Sequence, residues 1–95
     1  MKAKNDWARH RSRAEEEEGT ELSLKSGLGD AIRRERGALG ISQDELAKRS
    51  GLHRTYVSDL ERGARNPSVG SIQKIAQALQ IPIIKLFEQA GNAAH

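Results

Sequence analysis

No cysteine occurs in the 95 residues, which excludes disulfides, thiolate zinc sites and cysteine nucleophiles together. Long apolar runs are also missing. The longest, Ile81 to Ile84, is broken by Pro82, so no membrane span is expected. Met1 is followed by charged residues and not by an apolar stretch, so no secretory leader is expected and a cytoplasmic setting is inferred. His10, His53 and His95 are scattered along the chain. Their spacing assembles no metal or catalytic constellation, and neither an enzyme nor a cofactor is expected.

Charge is present in quantity but not evenly. Residues 1–27 hold six basic side chains (Lys2, Lys4, Arg9, Arg11, Arg13 and Lys25) against six acidic ones (Asp6, Glu15 to Glu18 and Glu21). The net charge of +3 therefore comes from residues 28–95, where ten Lys/Arg face seven Asp/Glu. A mildly basic domain is compatible with nucleic acid without demanding it.

The chain divides at this change of composition. Residues 1–27 are charged and poor in branched apolar residues, too polar to offset the entropy of ordering, and read as a flexible tail. Two readings of the tail stand side by side. In one it is solvated, its acidic run masking its basic run. In the other, the stretch Lys2 to Arg13 touches DNA phosphates with Trp7 as a docking aromatic. Residues 28–90 form the expected domain, and 91–95 a short C-terminal tail.

Within the domain, Leu28, Ile32 and Leu39 recur at helical spacing and give a first helix that stops before Gly40. Ser42, three residues before Glu45, is a capping box for a second helix, with Ile41 and Leu46 placed as a hydrophobic staple. That helix ends at Gly51. A third covers roughly Arg54 to Arg62. Ser68 caps a fourth with Ile72, Ile75, Ala76 and Leu79 on one face. Pro82 opens a fifth, through about Gln89. No stretch reads as a strand, and the fold expected is all-α with five helices.

Helices two and three form a unit of constrained spacing. Ala47 is small where the helices approach, Gly51 makes the turn, and Leu46, Leu52, Val57 and Leu60 supply the packing. A helix-turn-helix needs this arrangement to hold its second helix out as a probe. Val57, Leu60 and Glu61 share the inward face of helix three. Thr55, Asp59 and Arg62 project from the opposite face, with Tyr56 and Ser58 on its flanks and Arg54 in the first turn. Arginine pairs bidentately with guanine, threonine offers a methyl to thymine, and a helix N-terminus favours phosphate. An ordinary solvated face is the alternative.

Two charges fall on inward faces. Arg36 lies four residues after Ile32, in the seam of helix one, and Glu61 four after Val57. Buried charges are tolerated in pairs, so Arg36 and Glu61 are expected to form a structural salt bridge between helix one and the end of helix three.

Specific motifs now accumulate: S-Q-x-E-L-A at 42–47, G-L at 51–52, Y-V-S-x-L-E-R-G at 56–63 and N-P-S at 66–68. From about Leu28 to Phe87 the sequence resembles the lambda-repressor-like (Cro/C1 or XRE type) helix-turn-helix DNA-binding domain. The resemblance implies that Gln43 contacts the DNA backbone and braces the reading helix. It puts Arg54, Thr55 and Asp59 at base-reading positions, with Tyr56 and Ser58 beside them. Arg65 and Asn66 fall in a loop set against phosphates, Arg62 joins the backbone-contacting set, and Arg36 and Glu61 match a structural ion pair. His53 departs from the pattern, standing where Ser or Thr usually caps the third helix. Histidine caps poorly and is assigned instead to a phosphate. The wording L-H-R-T-Y-V-S-D-L-E-R-G further resembles the controller proteins of restriction–modification systems.

Helix five carries Ile83, Ile84, Leu86 and Phe87, more apolar surface than one buried stripe requires. The surplus points to a homodimer reading two inverted half-sites of double-stranded DNA as a transcriptional regulator, repressor or repressor–activator. The alternative function is an antitoxin that binds a toxin through its N-terminal tail and represses its own operon.

Overall fold

The computed structural model describes residues 24–93, with side chains through Asn92. Among them are five helices and no strand: α1 over 24–39, α2 Gln43–Ser50, α3 Arg54–Glu61, α4 Val69–Leu79 and α5 Ile83–Ala93. The stretch Lys2 to Arg13, Trp7 and the acidic run Glu15 to Glu18 lie outside the described residues, as do Ala94 and His95.

Local chemistry sets the boundaries. Ser42 takes an extended backbone and its Oγ accepts from the Glu45 N–H at 3.0 Å. The reciprocal half of the box is not made: the Glu45 carboxylate turns instead to Arg49 Nε at 2.9 Å, one helical turn on. Asp44 and Glu45 in the first turn of α2, with Lys48 and Arg49 in its last, suit the helix dipole. Gly51 ends α2 at φ 72°, a left-handed conformation that costs a side-chain-bearing residue about 1–2 kcal/mol. The turn closes with the Leu52 N–H donating to the Ala47 carbonyl at 3.0 Å. Ser68 caps α4 by accepting from the Ser71 N–H at 3.1 Å.

The core draws on every helix. Leu28, Ala31 and Ile32 of α1 meet Leu46 and Ala47 of α2, Val57 and Leu60 of α3, Ile72, Ile75, Ala76 and Leu79 of α4, and Leu86 and Ala90 of α5. Full burial of a side chain the size of leucine or isoleucine is worth about 1.5–3 kcal/mol. One cluster of this kind therefore fixes the spatial relation of α2 to α3.

Four expectations are corrected. α1 already includes residues 24–27, which were assigned to the tail: Leu24 and Leu28 are one helical turn apart, and the Gly27 backbone packs on α5. A Cβ at position 27 would lie 2.4 Å from the Ala90 carbonyl oxygen. α5 runs past Gln89 to Ala93, taking in part of the expected C-terminal tail. Leu39 keeps the helical phase of Leu28 and Ile32 in α1 but remains 38 % exposed. Leu86, expected at an outward interface, has no exposed surface and belongs to the core. Ile84 and Phe87 are the outward residues of that helix, 63 % and 45 % exposed, with Ile83 half-buried.

No helix among the described residues is long and apolar enough to cross a membrane.

Candidate nucleic-acid interface

The site is built around α3, an eight-residue helix with one face in the core and the other in solvent. Val57, Leu60 and Glu61 are its buried residues. Glu61 fixes the far end of the helix. Its Oε2 accepts from Arg36 Nε at 2.7 Å, and its Oε1 accepts from Arg36 Nη2 and from Gln43 Nε2, both at 3.0 Å. Arg36 Nη1 donates to the Ile41 carbonyl at 2.9 Å, between α1 and α2. The Glu61 side chain is only 1 % exposed, and the Arg36 side chain 19 %. One carboxylate thus ties α3 to α1 and α2 by a two-pronged charge-assisted bond, the geometry in which arginine pairs most strongly. These hydrogen bonds hold the Arg36 guanidinium still more firmly in its charged form than usual, against the opposing effect of its partial burial.

Arg33 and Gly29, absent from the expected set, complete this brace. Arg33 Nη2 donates to the Glu61 backbone carbonyl at 3.1 Å, and its Nε lies 3.8 Å from Glu61 Oε1. Gly29 lets α1 cross the end of α3 backbone to backbone: a Cβ there would lie 2.5 Å from the Leu60 carbonyl oxygen and 2.6 Å from that of Glu61. A glycine inside a helix costs about 1 kcal/mol against alanine; at position 29 the close crossing of α3 accounts for it, whereas Gly37 in the same helix has no such neighbour among the described residues.

The start of α3 is open. His53 holds the N-cap backbone conformation but makes no side-chain capping bond, and the first turn carries no acidic residue. The early N–H groups and the positive end of the helix dipole therefore face outward uncompensated. His53, Arg54 and Thr55 are exposed here, and Arg54 has no ion-pair partner among the described residues. Tyr56 and Ser58 flank this face half-buried.

Beyond the first turn the outward face carries a linked cluster. Asp59 Oδ1 accepts from Arg62 Nη2, and Asp59 Oδ2 accepts from Arg65 Nη2 at 3.2 Å. The Arg65 guanidinium also stands over the Tyr56 ring, 4.9 Å from its centroid. Hydrogen bonds from Arg62, and then from Arg65, hold the Asp59 carboxyl below its ordinary 3.8. Asp59, expected among base readers, thus directs its carboxylate along the protein surface to these arginines.

An open groove of about 460 Å³ runs between the start of α3 and the start of α4, lined by His53, Thr55, Tyr56, Arg65 and Ser71 among others. Asn66 is exposed in the loop that follows Arg65. His53, Arg54, Thr55, Arg62, Arg65 and Asn66 are thus exposed on α3, its N-cap and the loop that follows it, with Tyr56 and Ser58 half-buried on the helix. Gln43 stands behind them on the Glu61 brace. Ile84 and Phe87 lie elsewhere, on α5.

The helix-turn-helix family profile matches residues 32–86 of this chain. The control protein C.SmaI of Serratia marcescens is 36 % identical over 70 residues, which span 74 % of this chain and 83 % of that protein. The control protein C.BamHI of Bacillus amyloliquefaciens is 48 % identical over 54 residues, 55 % of this chain and 67 % of that one. Among solved structures, the restriction–modification controller protein C.AhdI from Aeromonas hydrophila superposes with a TM-score of 0.65 at 45 % identity, covering 65 % of this chain and 94 % of its own.

Proposed function

Because this chain belongs to the helix-turn-helix family of Cro/C1 (XRE) type, a family of DNA-binding transcription regulators, we propose that it controls transcription as a homodimer on an inverted-repeat operator, in the manner of restriction–modification controller proteins. The observation that carries the reading is the exposed, uncapped start of α3. Arg54 and Thr55 stand there on a helix held rigidly by the Glu61 brace. In this reading Arg54 and Thr55 contact base edges in the major groove, with Tyr56 and Ser58 beside them. Gln43, His53, Arg62, Arg65 and Asn66 contact the sugar–phosphate backbone and set register. Arg36 and Glu61 act structurally.

The dimer is supported by Ile84 and Phe87, which a single protomer leaves in water. Burying them against a second copy by a two-fold axis presents two α3 helices to two half-sites, about 34 Å or one helical turn apart. A single eight-residue helix reads too few base pairs to define an operator alone.

Footprinting on DNA upstream of the protein's own coding sequence, with sedimentation of the free protein, tests both parts. The expected result is protection of paired inverted half-sites by a species of twice the protomer mass. Protection without sequence preference would overturn the operator reading. A monomer at concentrations that saturate the operator would overturn the dimer.

A further inference from the structure

Asp59 stands at the centre of the outward face of α3, yet it is the least exposed member of its own cluster. Its side chain is 17 % exposed, against 63 % for Arg62 and 48 % for Arg65. The anion lies beneath and the two cations lie above it. Each arginine spends one Nη2 on the carboxylate, and Arg65 is held a second time by the Tyr56 ring.

We propose that Asp59 is a specificity-determining positioning residue: it fixes Arg62 and Arg65 as an ordered pair beside the reading helix while its own charge offsets part of their attraction for DNA in general. The inference rests on the reading of α3 as the DNA-reading helix. Two exposed guanidinium groups on long side chains attract any phosphate, and affinity without sequence preference grows with the number of phosphates neutralised. One carboxylate between two guanidiniums halves the net charge of the group. Its repulsion of an arriving phosphate acts well inside the screening length of about 8 Å, so physiological salt does not remove it. That penalty applies on every sequence. The compensating gain is local, because the arginines have already given up rotamer freedom while their remaining N–H groups have no acceptor among the described residues. A phosphate in register meets two aligned donors, and a phosphate out of register meets mainly the repulsion. With one arginine on each oxygen and 17 % of its side chain exposed, the Asp59 carboxylate is less accessible to a base edge than the exposed Arg54 and Thr55.

The test compares wild type with Asp59→Asn, which keeps shape and removes charge. The probes are a duplex carrying the footprinted inverted repeat and a mixed-sequence duplex of equal length, titrated from about 50 to about 200 mM salt. Thermal melting of each variant checks that it is folded. Exposed ion pairs are individually weak, so the change expected in D59N is roughly three- to tenfold tighter binding of the mixed-sequence duplex. Its salt slope should steepen by about 0.9 for each additional phosphate neutralised. Operator affinity should gain less or fall, so the ratio between the two duplexes shrinks. The same change placed on Arg62→Gln/Arg65→Gln should leave the slope of that double variant unaltered. A D59N loss confined to the operator duplex would make Asp59 a base reader and overturn the proposal. Unchanged slope and ratio would overturn it as well. Wild type that does not distinguish the two duplexes would instead refute the reading of α3, and the inference with it.

Discussion

Arg36 and Glu61 meet through two parallel hydrogen bonds, of 2.7 and 3.0 Å, across 25 positions of sequence, with the carboxylate buried and the guanidinium reaching solvent on one side. The asymmetry decides which partner matters more for stability. Truncating Arg36 leaves a buried carboxylate with Gln43 as its one side-chain donor among the described residues and the Arg33 guanidinium 3.8 Å away. Neutralising Glu61 leaves an arginine that can turn outward. Arg36→Met should therefore cost about 3 kcal/mol, on the scale of broken buried pairs, and Glu61→Gln less. Urea denaturation of both single variants and the double variant measures this, and the double variant should lose less than the sum of the singles. Strict additivity would show that the pair is not coupled.

α1 contains two glycines whose replacement by alanine should act in opposite directions. A Cβ at Gly29 would strike the Leu60 and Glu61 carbonyls, whereas at Gly37 nothing lies within 4 Å. Gly29→Ala should destabilise by roughly 1–3 kcal/mol, the scale of overpacking, despite the gain in helix propensity. Gly37→Ala should stabilise by about 0.5–1 kcal/mol. Equal effects in thermal melts would contradict the backbone crossing of α1 over α3.

The N-cap of α3 is unfilled. His53→Ser supplies the missing acceptor and should raise stability by about 1 kcal/mol, or about 4–8 °C in melting temperature for a domain of this size. Operator affinity should drop slightly at the same time, since the imidazole is assigned to a phosphate. A serine variant no more stable than wild type would contradict the open-cap account.

Acid should act on Asp59 in a defined window. Arg62, and after it Arg65, lower its carboxyl below the ordinary 3.8. A group with a depressed folded pKa contributes stability that is complete above its unfolded value and lost as pH falls through the folded one. The Asp59 contribution is therefore constant at neutrality and disappears only below about 3.8. Urea midpoints of wild type and Asp59→Asn should differ by a constant amount near neutrality and converge in acid. A gap that widens in acid would contradict the pairing.

The sequence was informative wherever a local rule operates. Ser42 before Glu45, Gly51 at a turn and Ser68 before Val69 mark helix ends because capping depends on a few neighbouring residues, and all three hold those places in the structure. The all-α fold and the helix-turn-helix unit follow from such signals and from the spacing of Leu46, Val57 and Leu60. What periodicity does not carry is how far a neighbour covers a face. Leu39 keeps the phase of Leu28 and Ile32 yet emerges into solvent, and Leu86 turns inward while Ile84 and Phe87 do not. Leu24 and Gly27 were lost to the tail because the charge balance of the whole segment outweighed four residues at its edge. The engagement of Asp59 with Arg62 and Arg65 depends on side-chain directions at a helix end and the loop beyond, which spacing leaves undetermined.

The central claim is that the start of α3 reads bases while the following loop holds phosphates. Binding of Arg54→Ala and Arg65→Ala to the operator duplex and to a mixed-sequence duplex, across a salt series, tests it most directly. Arg54→Ala should lose about 1–3 kcal/mol on the operator alone, and Arg65→Ala should weaken both duplexes and reduce the salt slope by about 1. Equal losses on both duplexes for both variants would contradict the account.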